Sequence, residues 1–282
     1  MTAPVPSRPW VIDAHNHVGS LQDTGIGGLG GAGSAPGLDS EIADRAAVMG
    51  GRGVDQAVLI ASHGYLRPDG IADTRRVNDS VASYAQSRPD LFPAGVGVVE
   101  PLYGERGLAE LDRAAGELRL RGISFHTRFQ GVSIDSPWVR RYLQRMGELG
   151  LVPFVHAVGE SAAEALWKVD VLAGDFPDLP MVVLDAFSTF EQSQFVPVVA
   201  ERRPHLLFDT ATAHGLGFVA DLVDRCGASR VAFGSDLYSG RQSRPGLSHL
   251  LDDILAWDVP RSDLDAIVAG NIRRVLHLDP LS

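Results

Sequence analysis

The chain has 282 residues and a formal net charge of −10, with 45% hydrophobic and 21% charged side chains. That length suffices for one large hydrophobic core and is usual for an α/β barrel. The negative charge argues against nucleic acid or an anionic membrane as a partner, because both require basic surfaces. Charges, glycine or proline interrupt every apolar run before the roughly 18 residues that cross a bilayer. The single cysteine, Cys226, and the lack of an apolar leader predict a cytoplasmic protein.

Short apolar runs alternate with longer amphipathic segments, a pattern that favours βα units around a parallel sheet. Two helix starts are predicted by a serine before a proline at Ser136 and by the capping-box spacing of Ser161 and Glu164. Eight runs predict strands: Val11–His15, Ala57–Ala61, Ala94–Val98, Gly122–His126, Val152–His156, Met181–Asp185, Leu206–Asp209 and Val231–Gly234.

Eight such units predict a (β/α)₈ barrel, the TIM-barrel fold, as a single domain over residues 1–282. The alternative is an open doubly wound sheet, which needs fewer strands and would leave at least one run unexplained. We find no domain boundary, internal repeat or charged linker.

A glycine-rich segment, residues 19–37, follows the first predicted strand. Its Gly25–Gly30 portion matches the spacing of a dinucleotide-binding loop. That interpretation is weak, because more glycines separate the match from any helix. Loops after barrel strands lie at the catalytic mouth, so we predict a mobile lid.

Histidines and a carboxylate occur where predicted strands end. His15 and His17 are two residues apart on the first strand, so both side chains face the same side of it. His156 ends the fifth strand, and Asp236 follows the eighth, which is adjacent to the first in a closed barrel. Imidazole is the commonest metal ligand, so this set predicts one divalent ion, with zinc favoured and manganese, iron or cobalt left open. Histidines satisfied by hydrogen bonds in the core are the alternative.

The chain resembles the amidohydrolase superfamily, specifically its amidohydrolase-2 branch of metal-dependent hydrolases and decarboxylases. The resemblance extends over essentially the whole chain and depends on residues 13–17, 122–127, His156, 234–236 and 270–274. It implies that His15, His17, His156 and Asp236 are metal ligands and that Asp236 also transfers the proton of a bound water. Asn271 and Arg274 match the terminal helix of the family, where a structural role is expected.

Two departures from the family restrict the mechanism. Binuclear members carry a carboxylated lysine on strand four, whereas the only lysine here, Lys168, falls in a predicted helix. On strand six, relatives carry histidine where this chain has Ala186. In the related decarboxylases that histidine is thought to act in acid–base chemistry, so its loss weakens the decarboxylase interpretation. The candidates to replace it are His63, His126 and His214; each is equally compatible with lining the mouth of the barrel.

The favoured hypothesis is therefore a hydrolase that uses metal-activated water on a small amide, lactone or related ester. The alternative is a metal-dependent decarboxylase of a small carboxylic acid, and the third is a catalytically inactive binding barrel. The predicted partner is a small-molecule substrate, and the sequence leaves open whether the chain forms a homodimer. Arg128 and Arg241 follow strands four and eight, where either guanidinium could bind a carboxylate. The predicted catalytic residues are Asp236, His156 and His126, and the predicted substrate-binding residues are His63, Arg128, His214 and Arg241.

Overall fold

The structure is a computed structural model that describes residues 8–18, 38–63, 68–238 and 250–279. Two sequence predictions fall outside these ranges, the mobile segment 19–37 and the substrate-binding residue Arg241. No helix in the described ranges is both long enough and apolar enough to span a membrane.

All eight predicted strands are present, and the eighth is interrupted. The strands are β1 (Ile12–Val18), β2 (Gln56–Ala61), β3 (Ala94–Val98), β4 (Gly122–Phe125), β5 (Val152–His156), β6 (Met181–Leu184), β7 (Leu206–Asp209), β8 (Val231–Ala232) and β9 (Leu237–Tyr238). The first strand is longer than predicted, so His15 and His17 lie within it. The predicted eighth strand, Val231–Gly234, is wrong at its end, because the chain leaves β8 after Ala232 and resumes pairing at Leu237.

The described strands form one parallel sheet in the order β8-β7-β6-β5-β4-β3-β2-β1-β9. Strand β8 pairs with β7, whereas β9 pairs with β1. Between them, the Ala14 amide donates a hydrogen bond of 2.9 Å to the Phe233 carbonyl. The two halves of the interrupted strand thus connect the first and last strands, and the sheet closes as a (β/α)₈ barrel.

Helices alternate with the strands and cover the outside of the barrel. They are α1 (Leu38–Gly51), α2 (Ile71–Ser87), α3 (Glu105–Gly116), α4 (Thr127–Gln130), α5 (Pro137–Leu149), α6 (Leu166–Gly174), α7 (Phe190–Arg202), α8 (Leu216–Cys226), α9 (Leu250–Leu255), α10 (Arg261–Asp265) and α11 (Asn271–Val275). Short 3₁₀ turns occupy Pro101–Tyr103 and Ala228–Arg230, and a π-helical turn, Ala266–Gly270, joins α10 to α11.

Two apolar layers stabilise this arrangement. Inside the barrel, alternate strand residues such as Val58, Ile60, Phe154 and Leu184 form a fully buried cluster. Ile272 of α11 belongs to the same cluster, so the terminal helix adds to the interior core. The other strand faces pack against the surrounding helices in a second, larger cluster. Burial on both faces explains why the strands read as continuous apolar runs.

The two predicted helix starts have different outcomes. Helix α5 begins as predicted, with the Ser136 hydroxyl accepting a hydrogen bond from the Val139 amide. The predicted capping box at Ser161 is wrong, because α6 begins at Leu166 and its N-cap residue, Ala165, makes no side-chain cap. The Glu164 side chain instead points into the protein, toward His126 and Arg128. Glu164 thus contacts residues distant in the sequence instead of forming the predicted capping box with Ser161.

Candidate metal centre

Three histidine side chains meet at the carboxyl ends of β1 and β5. His15, His17 and His156 are at most 1% exposed, and each offers a ring nitrogen within 4.8 Å of the other two. The Nε2 atoms of His15 and His17 are 2.9 Å apart. Because alternate residues share a face of a strand, the His-x-His spacing brings both rings to the inner side of β1. The sequence prediction that these histidines converge is met.

The outer nitrogen of each ring contacts an acceptor, which determines what the inner nitrogen offers. His15 Nδ1 lies 2.6 Å from Asp209 Oδ2, and His17 Nδ1 lies 3.3 Å from the Ala61 carbonyl. His156 Nδ1 lies 3.0 Å from the Phe125 carbonyl. An imidazole that donates from Nδ1 carries a lone pair on Nε2 unless a second proton binds there.

One of these inner nitrogens, that of His156, indicates which kind of ligand the site fits. Within the described part of the chain, His156 Nε2 is buried and has no hydrogen-bond partner. A buried polar atom without a partner costs free energy, on the order of 1–3 kcal/mol. A cation bound among the three Nε2 atoms would remove that cost. The donor set of imidazole nitrogens therefore fits a divalent metal.

Asp236 lies beside the two histidines of β1. Its Oδ1 is 3.5 Å from Nε2 of both His15 and His17. Its φ of +54° lies in the left-handed region that side chains usually avoid, so the surrounding contacts must hold it. Asp236 thus lies next to the group of three histidines, and a nitrogen and oxygen donor set of this kind is of the type that catalytic metal sites use.

Asp13 holds the turn that carries Asp236. Its Oδ1 accepts hydrogen bonds from the Ser235 amide at 2.9 Å and the His15 amide at 3.0 Å. Its Oδ2 accepts from the Ser235 hydroxyl at 2.5 Å. One carboxylate thus ties the histidine strand to the break in the eighth strand. Asp13 belongs to the family motif of residues 13–17, but no role was predicted for it from the sequence.

Asp209 is the second residue for which sequence analysis proposed no role. It ends β7, is fully buried, and bonds His15 through one oxygen and the Asp185 amide, at 3.0 Å, through the other. A carboxylate at the end of an apolar strand was the signal that could have identified it. Gly234 permits this contact, because a Cβ there would lie 2.9 Å from both Asp209 Oδ2 and His15 Cβ.

The burial and charge of these groups shift their pKa values in different directions. Burial lowers the pKa of His15, but the hydrogen bond and charge of Asp209 outweigh burial and raise that pKa to about 10. Burial lowers the pKa of His17 and His156 well below the usual range, and neighbouring imidazoles lower it further. At neutral pH, His17 and His156 are therefore neutral, whereas the His15–Asp209 pair retains a proton.

A second group of polar side chains adjoins the three histidines. His63 Nε2 lies 2.9 Å from the Ser124 hydroxyl, which is 3.5 Å from His156 Nδ1. His126 stacks on His156 with ring centroids 4.1 Å apart and planes 1° from parallel. Two residues that sequence analysis placed near the mouth, His63 and His126, are thus in contact with a candidate ligand.

Glu164 and Arg128 extend this second group. Glu164 Oε2 lies 2.9 Å from His126 Nδ1 and 3.2 Å from the Arg128 amide, and Oε1 lies 3.6 Å from Arg128 Nε. Burial raises the pKa of Glu164 to about 8, although the N–H and charge of Arg128 oppose that rise. The Arg128 side chain is 31% exposed and its guanidinium lies over the Phe129 ring.

The remaining sequence candidates lie elsewhere. His214 is exposed, hydrogen-bonds the Ser188 carbonyl at 3.1 Å, and lines a surface pocket with Phe218 and Arg225. Lys168 lies in α6 and donates to the Ser133 hydroxyl at 2.7 Å, so the only lysine is not at strand four. Ala186 follows β6 and is fully buried. Asn271 donates 2.8 Å hydrogen bonds to the Ala228 and Val231 carbonyls, a structural contact.

Comparison with protein families identifies the chain's relatives. A family model described as Amidohydrolase matches residues 12–278. The chain belongs to this family. The match covers every strand of the barrel and all four candidate metal ligands, and it confirms the resemblance inferred from the strand-end motifs. No curated protein matches the chain in sequence.

Solved structures share the fold at low identity. 5-Carboxyvanillate decarboxylase from Novosphingobium aromaticivorans, complexed with manganese and 4-hydroxy-3-methoxy-5-nitrobenzoic acid, has a TM-score of 0.73 at 17% identity, covering 96% of each chain. 2,6-Dihydroxybenzoate decarboxylase from Rhizobium scores 0.66 at 15% identity, covering 96% of this chain and 98% of that one. 4-Oxalomesaconate hydratase from Rhodopseudomonas palustris scores 0.67 at 18% identity, covering 95% of each. These similarities confirm the barrel fold of this amidohydrolase.

Alanine at His15 or His17 should remove most of the bound metal, because each substitution deletes one of three converging imidazoles. Wild-type protein should carry about one equivalent of divalent metal per chain, measured by elemental analysis after dialysis. His277→Ala is the matched control, since that histidine is exposed. Full metal content in both site variants would show that the ion binds elsewhere.

Metal binding should release about one proton per chain near pH 7.5, because the ion must replace the proton retained by the His15–Asp209 pair. The pKa of about 10 lies above this pH, so apparent affinity should rise with pH, up to about tenfold per unit, until that pKa is reached. Calorimetric titration of metal-stripped protein in buffers of different ionisation enthalpy measures the release. Affinity independent of pH between 6.5 and 8.5 would contradict the expected competition.

Proposed function

We propose that this amidohydrolase-family protein is a metal-dependent decarboxylase of a small carboxylic acid. The observation that carries the proposal is the convergence of ring nitrogens of His15, His17 and His156, with Asp236 beside the two histidines of β1. A second polar group that includes His63, His126 and Arg128 adjoins them. The decarboxylases that share the fold support the same class of reaction. This reverses the order that the sequence favoured, in which hydrolysis came first.

His15, His17, His156 and Asp236 would hold one divalent ion. When bound, such an ion supplies positive charge that stabilises negative charge developing on the substrate. Imidazole ligands favour zinc, whereas the similar 5-carboxyvanillate decarboxylase is complexed with manganese. Elemental analysis of protein purified without added metal decides between them.

Arg128 is the group we assign to the substrate carboxylate. Its guanidinium presents a planar fork of N–H donors that matches a carboxylate in shape. Its partial exposure leaves it accessible, and stacking over Phe129 limits its motion. The His63 and His126 rings are in a T-shaped contact, with ring centroids 5.5 Å apart. His63 would bind a polar group of the same substrate.

The reaction breaks the bond between carbon and the carboxylate. The electron pair stays on that carbon, carbon dioxide leaves, and a proton from Asp236 forms the new C–H bond. Asp236 then recovers a proton from solvent. His126 is neutral, because burial and the nearby imidazole of His63 lower its pKa well below the usual range. A neutral His126 accepts a hydrogen bond or proton from a substrate hydroxyl at its free ring nitrogen.

Ala186 was the reason to doubt decarboxylation, since relatives carry histidine at that position. His126 is a candidate to provide the imidazole that is missing at position 186. It supplies an imidazole stacked on His156, with Glu164 held against its Nδ1. We therefore assign to His126, on strand four, the acid–base role that the sixth-strand histidine is thought to have in related decarboxylases.

Hydrolysis of a small amide, lactone or ester is the second candidate. One observation favours it: Asp236 Oδ1 is equidistant, at 3.5 Å, from His15 and His17 Nε2, a position suited to taking a proton from a water held between them. Hydrolysis makes no demand on a sixth-strand histidine. The products distinguish the two reactions directly.

Metal-replete protein should convert at least one member of a panel of hydroxylated and unsubstituted aromatic acids with stoichiometric release of carbon dioxide. In deuterium oxide, the product should contain one deuterium at the carbon that lost its carboxylate. Lactones and amides serve as the parallel panel. An acid plus an alcohol or amine, without carbon dioxide, would establish hydrolysis. Binding without turnover of either panel would favour an inactive binding barrel.

Asp236→Asn should lower kcat on the substrate so identified by at least about 10²-fold, because an amide cannot supply the transferred proton. The substitution preserves shape and an oxygen, so part of the metal should remain. Metal content is therefore measured on the same sample. Asp221→Asn, at a side chain that is 54% exposed on α8, is the control and should behave as wild type. Full activity in Asp236→Asn would refute its assigned role.

A further inference from the structure

Glu164 is a fully buried carboxylate in the loop between β5 and α6. It lies outside α6, which begins at Leu166, so it does not cap that helix. Burying a carboxylate costs free energy unless the groups around it compensate. A residue retained at such a cost acts through the groups that it contacts.

The loop holds Glu164 firmly against the segment that follows β4. The Ala163 carbonyl accepts hydrogen bonds from the Ile134 amide at 2.8 Å and from the Thr127 hydroxyl at 3.3 Å. These contacts fix the main chain immediately before Glu164. The place of Glu164 beside His126 is therefore supported by the packing of this loop on the segment that follows β4.

Arg128 presents only donors to this carboxylate, through its amide and its Nε. His126 Nδ1 lies at hydrogen-bond distance from the same oxygen as the amide. Above its pKa of about 8 Glu164 is ionised, and an ionised carboxylate only accepts. A neutral imidazole has one N–H, and its location is set by the partner of the other nitrogen. The contact with Glu164 assigns that proton to Nδ1.

We propose that Glu164 is a positioning residue for His126, holding the proton of the ring on Nδ1 so that Nε2 keeps its lone pair for the substrate. The inference deepens the proposed function, on which the catalytic role of His126 rests. Glu164 also sets the orientation of the ring, which lies parallel to His156 at 4.1 Å. Without this contact both tautomers are accessible, and one of them places a donor where the reaction needs an acceptor.

The test is a two-bond ¹H–¹⁵N correlation spectrum of the histidine rings in zinc-loaded, full-length protein at about pH 9, above the pKa of about 8 of Glu164. His126 is assigned by the loss of its signals in His126→Ala. Wild-type His126 should show the Nδ1–H pattern. Glu164→Ala should show a mixture of tautomers. Glu160→Ala, an exposed glutamate in the same loop, should match wild type. An Nε2–H pattern in the wild type, or an unchanged Nδ1–H pattern in Glu164→Ala, would overturn the proposal.

Glu164→Gln keeps the test decisive if the alanine variant does not fold. The glutamine oxygen can still accept from Nδ1, so the tautomer should persist, but the proton resonance should move upfield because the bond loses its charge. An unchanged resonance would overturn the proposal. On an identified substrate, kcat should fall about 10- to 100-fold in Glu164→Ala with metal content retained, and less in Glu164→Gln. Since the spectra need no substrate, a failure of decarboxylation leaves the result on Glu164 standing.

Discussion

Asp13 holds the interrupted eighth strand, and both closure of the barrel and the position of Asp236 depend on that contact. Its two oxygens accept two hydrogen bonds from Ser235 and two from β1 itself, so the carboxylate joins β1 to Ser235. The chain can therefore leave β7 at Ala232 and pair with β1 from Leu237. The intervening turn puts Asp236 in a left-handed conformation beside the β1 histidines. A continuous strand would close the sheet without directing that carboxylate inward.

The orientation of the three candidate ligand histidines depends on partners at their outer ring nitrogens. Asp209 and two main-chain carbonyls contact the outer nitrogens and so direct the three inner nitrogens toward one another. Such outer contacts commonly fix the tautomer and orientation of metal-binding imidazoles. The Asp209 contact also makes His15 the most basic of the three, which couples metal binding to loss of a proton. Gly234 matters for the same reason, because a side chain there would collide with both members of that pair.

In the proposed decarboxylation, the two polar groups at the mouth would divide the chemistry between them. The first, with Asp236, would hold a cation and transfer a proton to carbon. The second, His126 with Glu164 and Arg128, would bind an anionic substrate and control its hydroxyl proton. The two meet where His126 stacks on His156. Under the proposed function, the acid–base role of the sixth-strand histidine, absent at Ala186, would pass to His126 directly after β4, two strands away in the sheet.

The sequence by itself determined the barrel and most of the first group, because eight apolar runs give eight buried strands and alternate positions on β1 share a face. It also excluded a lysine bridge, since Lys168 lies far along the chain from strand four. Only the tertiary structure decided the contacts between segments distant in sequence: His15 with Asp209, Asp13 with Ser235, and His126 with Glu164. Local pattern assigned Glu164 to a helix cap. The buried donors of His126 and Arg128 outweighed that preference, because a hydrogen-bonded carboxylate in the interior depends on which loops the barrel brings together.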